Sequence, residues 1–120
     1  MITKLNDRTL LKLSGIDVQS FLQGQFSNDI DALQDNIAQL NAYCQHQGKV
    51  IALLWVMKRN EDYYLSFPDD LAVIVTQRLT IFKMMSDVTI KDMSNEMIQL
   101  GVIDEVFMAP LSLTTNNLLL

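Results

Sequence analysis

Apolar and polar positions follow two different periods along this chain, and the switches between them mark its elements. Thr9-Leu10-Leu11-Lys12-Leu13 is short and apolar with one charged interruption, and reads as a strand. Ser14-Gly15-Ile16-Asp17 follows, a serine with an acid three positions on, which is the capping-box pattern of a helix start. Val18, Phe21, Leu22 and Gln25-Phe26 then recur at helical spacing, and Ser27-Asn28-Asp29 ends that helix in turn-forming residues. From Gln39 to Cys44 the period drops to two, with Leu40, Ala42 and Cys44 on one face and Asn41 and Tyr43 on the other. The apolar phase is expected to be the buried one. After the turn His46-Gln47-Gly48-Lys49, the run Val50 to Met57 is apolar on both faces, as in a strand inside a covered sheet. Lys58 to Asp62 is a polar hairpin loop, and Tyr63 to Phe67 returns as the next strand.

Ser66-Phe67-Pro68-Asp69 repeats the helix-start signal, with proline near the first helical position and acids in the first turn. Leu71, Ile74, Val75, Leu79 and Phe82 mark one face of a helix of about four turns. Asp87 to Ile90 and Met97 to Val102 read as two further strands around Ser94-Asn95-Glu96. The expected order is β-α-β-β-β-α-β-β, an α+β domain with an antiparallel or mixed sheet and two helices.

Composition narrows the function classes. The chain has 120 residues, one domain's worth, with 9 basic and 14 acidic side chains and a net charge of −5. That acidic balance argues against direct nucleic-acid binding, which draws on lysine and arginine. One cysteine and one histidine build neither a disulfide framework nor a structural zinc site. Lys4, Asp7 and Arg8 break any leader pattern, and the apolar run from Val50 is far shorter than a membrane span, so a cytoplasmic location is expected, with no membrane partner. Apolar residues reach 49%, and fifteen consecutive uncharged residues follow Glu105. We expect residues 1–105 to form the domain. Residues 106–120 are then an apolar segment that leads into a missing remainder or docks on a partner. Self-association of the chain is expected for the same reason.

Candidate chemistry is sparse. Cys44 and His46 are two apart, the same side of a strand, but a buried inert thiol is the ordinary state of such a cysteine. Asp69 and Asp70 suit a helix start, whereas turn formation accounts for only one of Asp29 and Asp31. Gly24, inside the first helix, costs about 1 kcal/mol relative to alanine, so either close packing or an approaching ligand retains it. Five of the seven methionines fall from Met84 onward; Met84, Met85, Met93 and Met97 serve either as core or as a soft contact surface. Trp55, on the most apolar strand, is expected in the core.

The order of these motifs carries a resemblance. Leu11-x-Leu-Ser-Gly-x-Asp17, then Phe21-Leu22-Gln23-Gly24-Gln25-x-Ser-Asn28-Asp29, then Ala42-Tyr43-Cys44 leading to Gly48-Lys49-Val50, resembles the N-terminal region of the YgfZ family of folate-binding proteins. These are kin of the glycine-cleavage T-protein, an aminomethyltransferase, and the match runs from about Leu10 to Val102. The resemblance implies tetrahydrofolate as cofactor and a T-protein-like fold. It also implies a role in supporting iron–sulfur enzymes, including those that modify tRNA. Its implied partners are the rest of its own chain, reduced folate and those enzymes. The family's Lys-Gly-Cys segment lies further along and is absent here. Where the transferase carries an acidic pair, this sequence has Ala52-Leu53, which cannot run acid/base chemistry, so the resemblance implies that aminomethyl transfer is lost. Asn28 and Asp29 are the motif-matching residues for cofactor binding, with turn formation as their other role. Lys49, Lys58 and Arg59 are cations for a folate tail, but a strand of eight residues holds Lys49 and Lys58 about 26 Å apart. The alternative is a protein-interaction scaffold on a degenerate transferase fold that binds no folate.

Overall fold

A computed structural model describes residues 2–45, 47–102 and 105–110. Its elements run β1 (Ile2–Leu5), β2 (Arg8–Ser14), α1 (Val18–Gln25), β3 (Ala38–Cys44), β4 (Val50–Arg59), β5 (Asp62–Pro68), α2 (Ala72–Phe82), β6 (Thr89–Asp92), β7 (Met97–Val102) and β8 (Glu105–Pro110). Single 3-10 turns at Ile30–Ala32 and Asp69–Leu71 precede β3 and α2. The expected β-α-β-β-β-α-β-β order is present, with one further strand at each end. β1, four residues with a lysine among them, is too short to show a period in the sequence. β8 opens the apolar segment drawn from residue 106; residues 111–120, with the Leu118–Leu120 end, lie outside the described residues.

The strands divide into two sheets, β3-β4-β5-β2-β6 and β1-β7-β8, in which every pair is antiparallel. The short connection between β6 and β7 does not keep them side by side. β6 pairs with β2, from Leu11↔Asp92 to Ser14↔Thr89, and β7 crosses to pair with β1 and β8. The Met93 amide bonds to the Leu10 carbonyl at 2.8 Å, ending the β6 ladder just before the chain leaves for the other sheet.

Both helices cover one face of the five-stranded sheet. Val18, Phe21 and Leu22 of α1 and Val75 and Leu79 of α2 pack on Leu11, Leu13, Tyr43, Leu54, Val56, Leu65 and Phe67. Each fully buried aliphatic or aromatic side chain of this set contributes about 1.5–3 kcal/mol. On the opposite face Leu10, Met57, Tyr64 and Met97 form a smaller core with Trp55 and Met93 packed against it. A buried polar knot fastens the second sheet there. The Arg8 guanidinium donates to the Ser66 hydroxyl and carbonyl at 2.8 Å each, the Ser66 hydroxyl donates to the Gln99 side-chain oxygen, and the Gln99 amide returns to the Arg8 carbonyl at 3.2 Å. Burial lowers the Arg8 guanidinium from its ordinary value, opposed by the charge of Asp69. β5, with Tyr63 to Phe67 all buried, is therefore covered on both sides.

The phase of β3 is the reverse of the expected one. Tyr43 and Asn41 face the helices and are buried, while Leu40 stands half-exposed on the other side. Tyr43 holds the inner position through its partners: its ring meets Phe26 edge-on at 5.3 Å, and its hydroxyl donates to the Gln25 side chain at 3.3 Å. The apolar phase of β3 is left partly exposed, with Leu40 at 50%. Trp55 is partly buried rather than central.

Candidate functional site

The specific stretch of the sequence, Phe21 to Asp29, begins as α1 and ends as a loop sewn along β3, the edge strand of the large sheet. The Phe26 amide closes the helix on the Leu22 carbonyl at 3.0 Å, and Phe26 then bridges to Tyr43. Ser27 bonds Ala42 twice: its amide donates to the Ala42 carbonyl at 3.2 Å, and its hydroxyl accepts the Ala42 amide at 2.9 Å. The Asn28 amide donates to the Asn41 side-chain oxygen at 2.9 Å, and the Asn28 side chain donates to the Leu40 carbonyl at 3.2 Å. That same side chain accepts the Asp29 amide at 2.8 Å, and Gln39 donates to the Asp29 carbonyl at 2.9 Å. An exposed edge strand is an aggregation hazard, and this loop occupies its free backbone groups.

Asn28 is thus committed to the loop through both ends of its amide. The Asp29 carboxylate is exposed and has no hydrogen bond or ion pair among the described residues. Asn41, buried and bound to Gln39 at 3.0 Å, belongs to no motif in the sequence, although a polar residue in the inward phase of a strand is the signal for it.

Beside the loop lies an apolar platform. Leu40 pairs with Trp55, Ala42 with Leu53, and Cys44 with Val50 across a register shift. Leu40, Val50 and Leu53 are each half-exposed or more, with Leu53 at 58%. Ala52 points the other way and is only 3% exposed, in the helix-side core. The two positions matched to the transferase's acidic pair therefore face opposite sides of the sheet. Cys44 is a half-buried free thiol, and its sequence neighbour His46 lies outside the described residues. Lys49 is exposed in the β3–β4 turn, whereas Lys58 and Arg59 end β4 at its other extremity, so these cations are not brought together.

Ser14-Gly15-Ile16-Asp17 is not a capping box. Ser14 is the last residue of β2, and Asp17 precedes α1 without a side-chain cap. Its carboxylate instead accepts the Asp87 amide at 2.7 Å, while the Asp17 amide donates to the Asp87 carbonyl at 3.2 Å. Gly15, at φ +129°, makes this clamp possible, since a Cβ there would lie 2.1 Å from the Asp87 carbonyl oxygen. Asp69 and Asp70 do open the 3-10 turn before α2, and Asp69 also accepts the Thr9 hydroxyl at 2.7 Å. A Cβ added to Gly24 would meet nothing within 4 Å, so close packing within the described chain does not require that glycine. Met84 and Met85 are exposed, while Met97 is buried.

The large sheet with helices on one face matches the glycine cleavage aminomethyltransferase T from Bartonella henselae, with a TM-score of 0.74 over 82% of this chain and 27% of that one, at 13% identity. In sequence, 92 residues are 35% identical to an aminomethyltransferase of Shouchella clausii, and 98 residues are 28% identical to the tRNA-modifying protein YgfZ of Vibrio atlanticus. Over 98 residues the chain is also 31% identical to the mitochondrial iron-sulfur cluster assembly factor IBA57 homologue of Cryptococcus neoformans. The chain is similar to one part of each of these proteins. The matches cover 77–82% of the chain but only 25–30% of the relatives' own lengths. No protein-family model matches it. Its fold is that of the aminomethyltransferase T-protein. Among the described residues no helix is long and apolar enough to cross a membrane, and no group of metal-ligating side chains is present.

Proposed function

We propose that this chain supplies one wall of a reduced-folate site in a YgfZ- or IBA57-like accessory protein that supports iron–sulfur enzymes, tRNA-modifying ones among them, and that it does not transfer aminomethyl groups. The platform of Leu40, Val50 and Leu53 beside the Ser27–Asp29 loop carries this reading. A flat heteroaromatic ligand is held by apolar area on its faces and a few polar groups at its rim. The platform offers the former and the unpartnered Asp29 carboxylate the latter, with Asn28 as the residue that sets the loop. The resemblance sets Ala52-Leu53 against the transferase's acidic pair, so on this reading the wall can bind but has no carboxylate to move a proton there.

A single wall binds weakly, with dissociation constants in the millimolar range. Titration of tetrahydrofolate into the 120-residue chain, followed by amide chemical shifts, is expected to move Asp29, Leu40 and Leu53 together. Absence of shifts at these positions at millimolar ligand would refute the reading. The second reading, an interaction scaffold, draws on α2 and the residues just after it. Val73, Ile81 and Met84 are exposed, and Met85 is 97% exposed. Exposed large apolar side chains gathered on one element mark a contact surface.

A further inference from the structure

Two contiguous grooves flank α1 at the end of the sheet away from the β3–β4 turn. The first, about 520 Å³, runs along Gln19, Gln23 and Gly24 to Asp31. The second, about 370 Å³, continues past Gln19 to Lys58, Glu61 and Tyr63 at the β4–β5 hairpin. Ile16, 89% exposed, lines both. We infer that these grooves form a binding site for a small organic cation with N–H donors, an alkylammonium or guanidinium group on an apolar stem.

Tyr63 is the observation that turns a polar groove into a site. It is 2% exposed, and among the described residues its buried hydroxyl has no hydrogen-bond partner. A buried hydroxyl left unpaired is costly, and the ordinary explanation is a partner outside the chain. Burial, with Asp31 and Asp35 acting on it electrostatically, pushes that hydroxyl above its ordinary titration range. It therefore stays protonated, with its oxygen free to accept. Lys58 holds its ammonium 5.9 Å over the Tyr63 ring, where the ring face offsets its charge. Among the lining side chains the two carboxylates, Asp31 and Glu61, outnumber that one cation, so the site as a whole is negative.

Asp31 is also held in place. Its Oδ1 accepts the Gln19 amide at 2.9 Å and its backbone amide donates to Gln23 at 3.1 Å, which leaves Oδ2 for a ligand. A guanidinium between Tyr63 and Asp31 would find one neutral and one charged acceptor, while an alkyl stem lies along Ile16. Gly24 keeps the helix surface bare, so the first groove stays open along its length. An anion would meet mostly carboxylates.

The test is titration of agmatine into the 120-residue chain, with glutarate, a dianion of similar length, as the control. Saturable amide shifts at Gly15, Gln19 and Gly24 with agmatine alone are expected. Tyr63→Phe removes only the orphan hydroxyl, so it should weaken agmatine about five-fold while the thermal midpoint holds or rises. Asp31→Asn should weaken it as well, since the amide oxygen can still accept from Gln19. Glutarate binding as well as agmatine, no saturation in the millimolar range, or unchanged affinity in folded Tyr63→Phe would each overturn the inference.

Discussion

Gly15→Ala tests the clamp between the start of α1 and the approach to β6. The new Cβ would sit 2.1 Å from the Asp87 carbonyl oxygen and 2.9 Å from its carbon, both backbone atoms that cannot swing aside. At φ +129° an alanine is also strained whatever the space, at about 1–3 kcal/mol. Relieving the overlap pulls Asp87 away from Asp17 and breaks two bonds. The charged one, at 2.7 Å, is worth about 1.5–3 kcal/mol, and the backbone one, at 3.2 Å, about 0.5–1.5 kcal/mol. The expected loss is about 3–7.5 kcal/mol, against a total stability of about 5–15 kcal/mol for a domain. Gly24→Ala is the internal control. Its Cβ meets nothing within 4 Å inside a helix, so it should gain up to about 1 kcal/mol. Urea unfolding of both variants gives the answer through the midpoint, provided the slope is unchanged. A Gly15→Ala loss below about 1 kcal/mol would show that the clamp does not form in solution, and the placement of α1 on the sheet would lose its anchor.

Three further outcomes are expected. Ala52→Asp puts a charge into the helix-side core and should destabilise by about 3 kcal/mol or more, while Leu53→Asp, on the exposed face, should change stability by less than about 1 kcal/mol; equal effects in urea unfolding would contradict the assigned faces. Tyr43 and Tyr63 both titrate above the ordinary value of 10.0, mainly through burial. The protonated forms are thus favoured by folding, so their contribution is complete below pH 10 and lost as pH rises through the raised folded values. Urea midpoints should fall between pH 9 and pH 11 or so, and a midpoint that stays level would count against buried tyrosines. The chain should self-associate through α2, and Ile81→Glu with Met85→Glu should shift light-scattering mass toward the monomer; a wild-type monomer at high concentration would remove the case for that surface.

The period of the apolar positions made α1, β2, β3, β4, β5 and α2 legible, because each has at least one face that packs. What it left open was which face. β3 presents Leu40, Ala42 and Cys44 in one phase and Asn41 and Tyr43 in the other, and apolar count alone favours burying the first. The structure buries the second, since Tyr43 can satisfy its hydroxyl on Gln25 and meet Phe26 edge-on, and Asn41 can hold the Asn28 amide. A polar residue with a partner waiting is no worse inside than an aliphatic one, and that partner sits far off in sequence. The same reasoning applies to Gly15 and Asp17, whose spacing reads as a cap until Asp87, seventy positions on, is known to be adjacent. The apolar platform left by the reversed phase of β3 is therefore a property of the pairing rather than of excess hydrophobicity. Leu53 at its centre, 58% exposed, presents only hydrocarbon there, so that position offers contact area and no group that can carry a proton.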